Sequence, residues 1–323
     1  MSDELHVVFG SGPVGLAVVD ELVKRGRRVR VVNRRGSAAV PANVEVVAGD
    51  AADPASARRL CQGAAVVYSC VNAPDYHRWH LQFPPLQAGI LDGAAAAGAK
   101  LIVMENLYMY GPNGGRPLTE DAPMNPTSGT RCVTRAQMTR DLFAAHRAGT
   151  VRAASVRASD FFGPRVLDSA AGERLFGALL HGKSVQYLGD VDVLHSYTYM
   201  PDIGRAMALL AEHDAALGEA WHIPSATVTP RQFIQMAAAA LGLEPKISAL
   251  RRGLLRAVAL PVMGLFIPPL RGYDEVLYQF DEPFIVDAGK FIRTFGDIQT
   301  PLETAINATA RWYQEQAAAR AAA

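Results

Sequence analysis

The chain has 323 residues, half of them apolar, with 32 basic side chains against 31 acidic ones and a net charge of +1. That balance, with no block of like charge, excludes a nucleic-acid-binding tail and leaves the composition of a soluble enzyme. Three cysteines, Cys61, Cys70 and Cys132, are odd in number and lack metal-ligand spacing, so neither a disulfide framework nor a metal site is expected and a reducing, cytoplasmic location is.

In chain order the first element is an apolar strand at 5–9, preceded by acidic Asp3 and Glu4, unlike the basic and apolar regions of a secretory signal. It runs directly into Gly10-Ser11-Gly12-Pro13-Val14-Gly15, a G-x-G-x-x-G turn, and a helix predicted over 14–25. Such a turn needs glycine three times: for the tight turn itself, for backbone approach to a pyrophosphate, and for close packing of helix on strand. The helix N-terminus then faces the phosphates. Strand, turn and helix together point to a bound dinucleotide; a plain βα turn is the alternative. The second strand, 28–32, leads into Asn33-Arg34-Arg35. A carboxylate at this place would accept hydrogen bonds from a ribose 2′-hydroxyl, whereas two guanidiniums beside an amide suit a 2′-phosphate. NADP is therefore expected over NAD, with a solvated basic turn as the alternative.

Further strands are predicted at 43–47, 65–70, 100–104 and 151–156, with helices at 54–61, 80–97 and 131–148 between them. Apolar runs alternating with amphipathic segments build a parallel sheet covered by helices on both faces. The fold class is thus α/β, a doubly wound Rossmann domain over residues 1–160. Beyond Gly163-Pro164 the alternation loosens into a helix near 169–181, short strands and proline-punctuated helices. That is the pattern of a smaller substrate lobe over 161–323, with some segments free to return to the sheet. Residues 254–270 are largely apolar but carry Arg256, Pro261, Pro268 and Pro269, which argues against an integral membrane segment. A hydrophobic lid or substrate-pocket wall is expected there, with peripheral membrane contact as the alternative. The alanine-rich tail from Gln314 to Ala323 reads as a fraying helix end.

Several motifs in order now carry a family resemblance: the glycine turn, Gly49-Asp50, Tyr110-Gly111-Pro112, the stretch from Pro117 to Pro126, Phe162-Gly163-Pro164, Pro201-Asp202, and a closing Phe295-Gly296 and Thr300-Pro301-Leu302-Glu303 ahead of Trp312-Tyr313. The succession resembles the extended short-chain dehydrogenase/reductases, in their NAD-dependent epimerase/dehydratase and aldehyde-reductase branch, over nearly the whole chain. The resemblance implies a domain that holds NAD(P), a lobe that holds substrate, and hydride transfer at the carbon of an alcohol or carbonyl. It places Asp50, with Ala51 beside it, at the adenine; Val71, Asn72 and Ala73 along the cofactor; and Ala158 and Ser159 at the nicotinamide. The alternative for Asp50 is a helix cap on the Asp53-Pro54 turn. The resemblance also implies a homodimer paired through the helices near 131–148 and 169–181.

The family's catalytic signature is a tyrosine, three residues, then a lysine, with a serine or threonine after the fifth strand. Laid on that pattern without a gap, this chain offers Thr130 and Thr134; a one-residue slip offers Arg131 and Arg135. Neither register supplies a phenol and an ammonium, and a threonine hydroxyl does not ionise usefully near neutrality. The serine position holds Asn106, next to Glu105. Catalytic candidates are therefore Asn106 as a carbonyl-polarising donor, Tyr108 as a proton donor, Glu105 as an acid or base if its pKa is raised, and Thr130. Glu105 in a salt bridge or cap is the alternative. Substrate-side candidates are Tyr110, Asp160, His195 and Tyr197. His195 falls where sugar-nucleotide members use an arginine on a substrate phosphate, which favours a small hydrophobic, weakly charged substrate. Two functions stay open: an NADP-dependent oxidoreductase for a hydrophobic alcohol, aldehyde or ketone, and a redox-neutral isomerase, cyclase or cofactor sensor that holds NADP without turnover.

Overall fold

The computed structural model describes residues 4–126, 129–266 and 272–322. Asp3, residues 267–270 of the expected lid, and Ala323 of the tail lie outside the described residues. The first half of the chain runs β1 (Leu5–Phe9), α1 (Pro13–Lys24), β2 (Arg28–Asn33), β3 (Glu45–Ala48), α2 (Pro54–Cys61), β4 (Ala64–Ser69), α3 (Trp79–Ala97), β5 (Lys100–Glu105), α4 (Thr130–Arg147) and β6 (Arg152–Arg157). It continues with β7 (Asp160–Phe162), α5 (Glu173–Leu180), β8 (Val185–Tyr187), β9 (His195–Tyr199), α6 (Met200–Glu212), β10 (Ala220–His222), β11 (Ala226–Val228) and α7 (Pro230–Ala240). The last elements are β12 (Ile247–Ala249), α8 (Leu254–Phe266), α9 (Tyr278–Asp281), α10 (Gly289–Phe295) and α11 (Leu302–Ala322). Two compact units emerge, neither continuous in sequence: unit 1 is residues 1–111, 123–157 and 203–223, and unit 2 is 112–122, 158–202 and 224–323.

Unit 1 is built on a seven-stranded sheet in the order β10-β6-β5-β4-β1-β2-β3. Every neighbouring pair is parallel. The order reverses between β1 and β4, the switch point at which doubly wound sheets bind ligands. All five residues of β1 are buried, as a central strand covered on both faces requires. Helix starts follow their capping chemistry. Pro13 occupies the first turn of α1, and the Asp53 carboxylate accepts the Ala55 and Ser56 N–H groups ahead of Pro54 in α2. The expected strand at 43–47 begins two residues later because the Val44 N–H turns back onto the Pro41 carbonyl. A seventh strand, β10, pairs with β6; at three residues it is too short to show a periodicity.

Unit 2 contains a three-stranded sheet, β11-β9-β7, and a two-stranded one, β12-β8. Its core gathers Phe162, Leu175, Phe176, Tyr197, Phe233 and Ile306. The helix expected over 169–181 is reduced to α5, since Gly172 stands at its N-cap and the Ser169 hydroxyl accepts the Ala171 N–H just before it. The Asp202 carboxylate takes both the Thr300 N–H and its hydroxyl at 2.7 Å, which ties two of the motif segments together ahead of α11. Among the described residues no helix is long and apolar enough to cross a membrane.

Candidate functional site

In unit 1 the glycine turn separates what the protein needs from what a ligand needs. Gly10 adopts φ 102°, and a β-carbon there would lie 2.6 Å from the Cys70 carbonyl oxygen. A β-carbon on Gly15 would lie 2.0 Å from the Gly10 carbonyl oxygen. On Gly12 it would meet no protein atom within 4 Å. Open space therefore stands at the N-cap of α1, where no side chain caps the helix, which is the room a phosphate group requires.

The turn after β2 is organised by Asn33. Its amide NH2 donates to the Ser11 hydroxyl at 2.8 Å and the Ser37 carbonyl at 2.9 Å, and its carbonyl accepts the Arg35 and Gly36 N–H groups. Both ends of the amide are thus committed to the turn. Asn33 shapes the loop and steadies Ser11, rather than offering an uncommitted group to a ribose. Arg34 and Arg35 are exposed, and neither guanidinium has an ion-pair partner among the described residues. Asp50 is exposed and one of its oxygens accepts the Ala52 N–H, while Asp53, not Asp50, caps α2. Ala51 is buried, its carbonyl lying so close to α3 that a β-carbon on Gly89 would sit 2.0 Å from it. After β4, Val71 is half-buried, Asn72 exposed and Ala73 buried in a cluster with Trp79, Phe83 and Met138.

Past β5 two arrangements differ sharply. Asn106 accepts the Tyr108 N–H through its carbonyl, and the Tyr108 oxygen accepts a hydrogen bond of 2.7 Å from the Tyr76 hydroxyl. Tyr76 is held by Arg131, whose Nε donates to the Tyr76 carbonyl and whose guanidinium carbon lies 4.3 Å from the ring centroid. Tyr76 is a site residue the sequence reading missed; the aromatic run Tyr76 to Trp79 after the fourth strand was its signal.

Glu105, by contrast, lies closed in the core. Thr139 and Arg135 donate to Oε1 at 2.8 and 3.4 Å, while Ser155 and Arg157 donate to Oε2. Burial opposes its ionisation, but the charges of Arg157 and Arg135 and the hydroxyls of Ser155 and Thr139 outweigh burial and hold its carboxyl below the ordinary carboxylate value. The expectation of a raised pKa gives way to a structural ion triad. Tyr110, expected against substrate, belongs to the same knot: it is 2% exposed, its hydroxyl accepts from Arg157, and it meets Nε2 of His222 at 2.7 Å. Thr130 is exposed at the first turn of α4, and the Thr134 hydroxyl is turned back onto the Thr130 carbonyl at 2.7 Å.

In unit 2, Ala158 and Ser159 are buried, and the Ser159 N–H donates to the Thr198 hydroxyl. His195 is 1% exposed and lies between two oxygens at 3.0 Å, the Asp160 carboxylate on Nε2 and the Gln279 carbonyl on Nδ1. Phe280 stacks on it with an interplanar angle of 9°. Asp160 and Tyr197 also line a cavity of about 40 Å³ with Tyr187, Leu175, Ile234 and Phe280. Burial pushes the phenols of Tyr187 and Tyr197 up, so they face the cavity as neutral donors. None of the described residues of α8 lines this cavity. Among the described residues no group of three or more His, Cys, Asp or Glu side chains could hold a metal ion.

The sequence model of the NAD-dependent epimerase/dehydratase family matches residues 7–223. No curated protein matches the chain in sequence. Among solved structures the chain is similar to DesIV, a dTDP-glucose 4,6-dehydratase from Streptomyces venezuelae with NAD and TYD bound, with a TM-score of 0.77, 19% identity, and 97% and 98% of the two chains covered. It is similar to a UDP-N-acetylglucosamine 4-epimerase from Methanobrevibacter ruminantium M1 in complex with UDP-N-acetylmuramic acid, at a TM-score of 0.79 and 18% identity, covering 98% and 100%. WbmH of Bordetella bronchiseptica, in complex with NAD+, gives 0.73 and 19% identity over 97% and 98%. At these identities the likeness shows the fold.

Proposed function

A chain that matches over residues 7–223 belongs to the NAD-dependent epimerase/dehydratase family, and on that premise we propose that it is an NADP(H)-dependent oxidoreductase interconverting a hydrophobic alcohol with its aldehyde or ketone. The cofactor's fit rests on the open space beside Gly12 and on the unpaired, exposed Arg34 and Arg35, which suit a pyrophosphate and a 2′-phosphate. Asp50, Ala51, the backbone at Val71, Asn72 and Ala73, and Ala158 with Ser159 complete the proposed cofactor contacts. Bound NADP(H) would supply the hydride in reduction and take it up in oxidation.

The observation that carries the reading is the Tyr76–Tyr108 hydrogen bond. Tyr108 gives its proton to the carbonyl oxygen as that oxygen becomes an alcohol. The anion left on the phenol is stabilised by the hydrogen bond from Tyr76 and by the charge of Arg135, which is electrostatically coupled to Tyr108. Asn106, its carbonyl occupied by the Tyr108 N–H, has its NH2 to polarise the substrate oxygen. Tyr110, Asp160, His195 and Tyr197 are the substrate-side residues read from the sequence, and a histidine in place of a phosphate-binding arginine supports a weakly charged substrate, unlike the nucleotide sugars named for the similar structures. A cytoplasmic homodimer paired through α4 and α5 completes the proposal; sedimentation equilibrium tests the pairing.

The test is titration with NADPH and NADH by fluorescence, then absorbance with a panel of hydrophobic aldehydes and ketones. NADPH should bind at least about tenfold tighter than NADH, as charge-assisted bonds to one phosphate provide. Tyr108→Phe should lower kcat by roughly 10²-fold with little change in NADPH affinity. A second reading, cofactor held without redox turnover, is supported by the sequence pattern, which sets Thr130 and Thr134, or with a one-residue slip Arg131 and Arg135, at the family's tyrosine and lysine positions. Tight NADPH binding with no oxidation across the panel would establish it; no binding of either cofactor would sink both.

A further inference from the structure

Among its described side chains, helix α8 turns apolar residues outward and an arginine inward. It buries Arg256, Leu260 and Gly264 and exposes Leu254, Val258, Val262, Leu265 and Phe266, at 83, 58, 50, 70 and 80% of their full surface. The exposed positions follow i, i+4, i+8, i+11 and i+12, one stripe roughly 18 Å long at the rise of an α-helix.

The reversal is built in. Arg256 grips Asp281 with two hydrogen bonds, one of 2.6 Å, and the two side chains are 8% and 10% exposed. Leu260 packs with Leu277 and Phe280 one turn further on. Turning the apolar stripe inward would pull the buried guanidinium off its carboxylate, so the ion pair fixes which face points outward.

The surrounding charge says what covers the stripe. Between Glu244 and Asp274 the sequence holds no acid, while Lys246, Arg251, Arg252 and Arg256 precede or open the helix. Arg251 is taken by Asp190 and Asp192, and Arg256 by Asp281. Lys246 and Arg252 are exposed and have no carboxylate partner among the described residues. An uninterrupted apolar stripe with uncompensated cations at one end suits the acyl boundary of a bilayer under anionic headgroups. At 13 residues the helix is too short to cross that bilayer, which needs about 20.

We propose that α8 docks the protein onto an anionic lipid surface, with Leu254, Val258, Val262, Leu265 and Phe266 in the acyl boundary and Lys246 and Arg252 at the phosphates. The test is co-sedimentation of the full chain with extruded vesicles of phosphatidylcholine alone and of phosphatidylcholine mixed equally with phosphatidylglycerol. Binding is expected to the mixed vesicles, to fall about tenfold or more on pure phosphatidylcholine, and to weaken in high salt. The double variant Leu265→Ser/Phe266→Ser should lose binding by about tenfold or more with an unchanged melting temperature, since both residues are exposed. No sedimentation with the mixed vesicles, or equal binding by the double variant, would overturn the proposal. So would a concentration-dependent dimer that the double variant makes monomeric, because the stripe would then belong to a second copy.

Discussion

Glu105 in unit 1 and Asp160 in unit 2 are both carboxylates at strand ends paired with a buried basic side chain, and they have opposite fates. Glu105 is wholly enclosed, and its two oxygens receive four hydrogen bonds, two from arginines and two from hydroxyls. Asp160 keeps 28% of its side chain exposed, meets a single histidine, and lines a cavity. Saturation separates the two. A carboxylate with every lone pair used holds strands and helices in register, whereas one with spare acceptor capacity at a cavity wall can meet a ligand.

The largest expected effect comes from breaking the closed side. Glu105→Gln strands Arg135 and Arg157 in the core and should cost about 3–5 kcal/mol of unfolding free energy in urea. A loss below 1 kcal/mol would erase the contrast. Next, Tyr110→Phe removes the hydroxyl between Arg157 and His222 and should cost about 1–3 kcal/mol, read in the same transition. On the open side, Asp160→Asn should cost only about 1 kcal/mol, because the side chain is partly solvated and the amide still offers His195 an acceptor.

Acid sharpens the contrast by the least. Burial, helped by Arg27, pushes His6 down from 6.5 to about 4, so its contribution is present above pH 6.5 and lost as pH falls towards 4. Glu105 has a depressed folded pKa, so its share is retained above its unfolded value of 4.5 and lost only as pH falls through a lower one. Thermal unfolding followed down the pH scale should show the His6 decline first, and His6→Gln should remove that phase while leaving the steeper one below it.

How much was legible follows from the range of the interactions concerned. The first six strands of unit 1 and the starts of α1 and α2 announce themselves, because apolar runs, prolines and the Asp53 cap act over a few residues. The glycine turn is legible for the same reason. The role of Glu105 was not, since its partners stand 30 to 52 positions away and on two other elements. Nor was the burial of Tyr110, which depends on His222 in a strand 112 positions on. Residues 254–266 read from composition as a lid or pocket wall, with peripheral membrane contact as the alternative; the Arg256–Asp281 pair that fixes the outward face was not legible, its partners standing 25 positions apart. The turn at Asn33 is local by contrast, an Asx-type turn whose side-chain carbonyl accepts the Arg35 and Gly36 N–H groups.

The short strand β10 has a consequence for how this chain can be divided. It supplies the outer edge of the large sheet from residues that follow β7, β8 and β9 in sequence, and it brings His222 to Tyr110. A fragment ending near residue 160 would contain every long strand of unit 1 and still leave β6 with an open hydrogen-bonding edge and the buried Tyr110 hydroxyl without its histidine. No single cut releases unit 1 whole. Insertion, loss or exchange of a nucleotide-binding module between chains of this kind must therefore carry the segment 203–223 along with the first 157 residues.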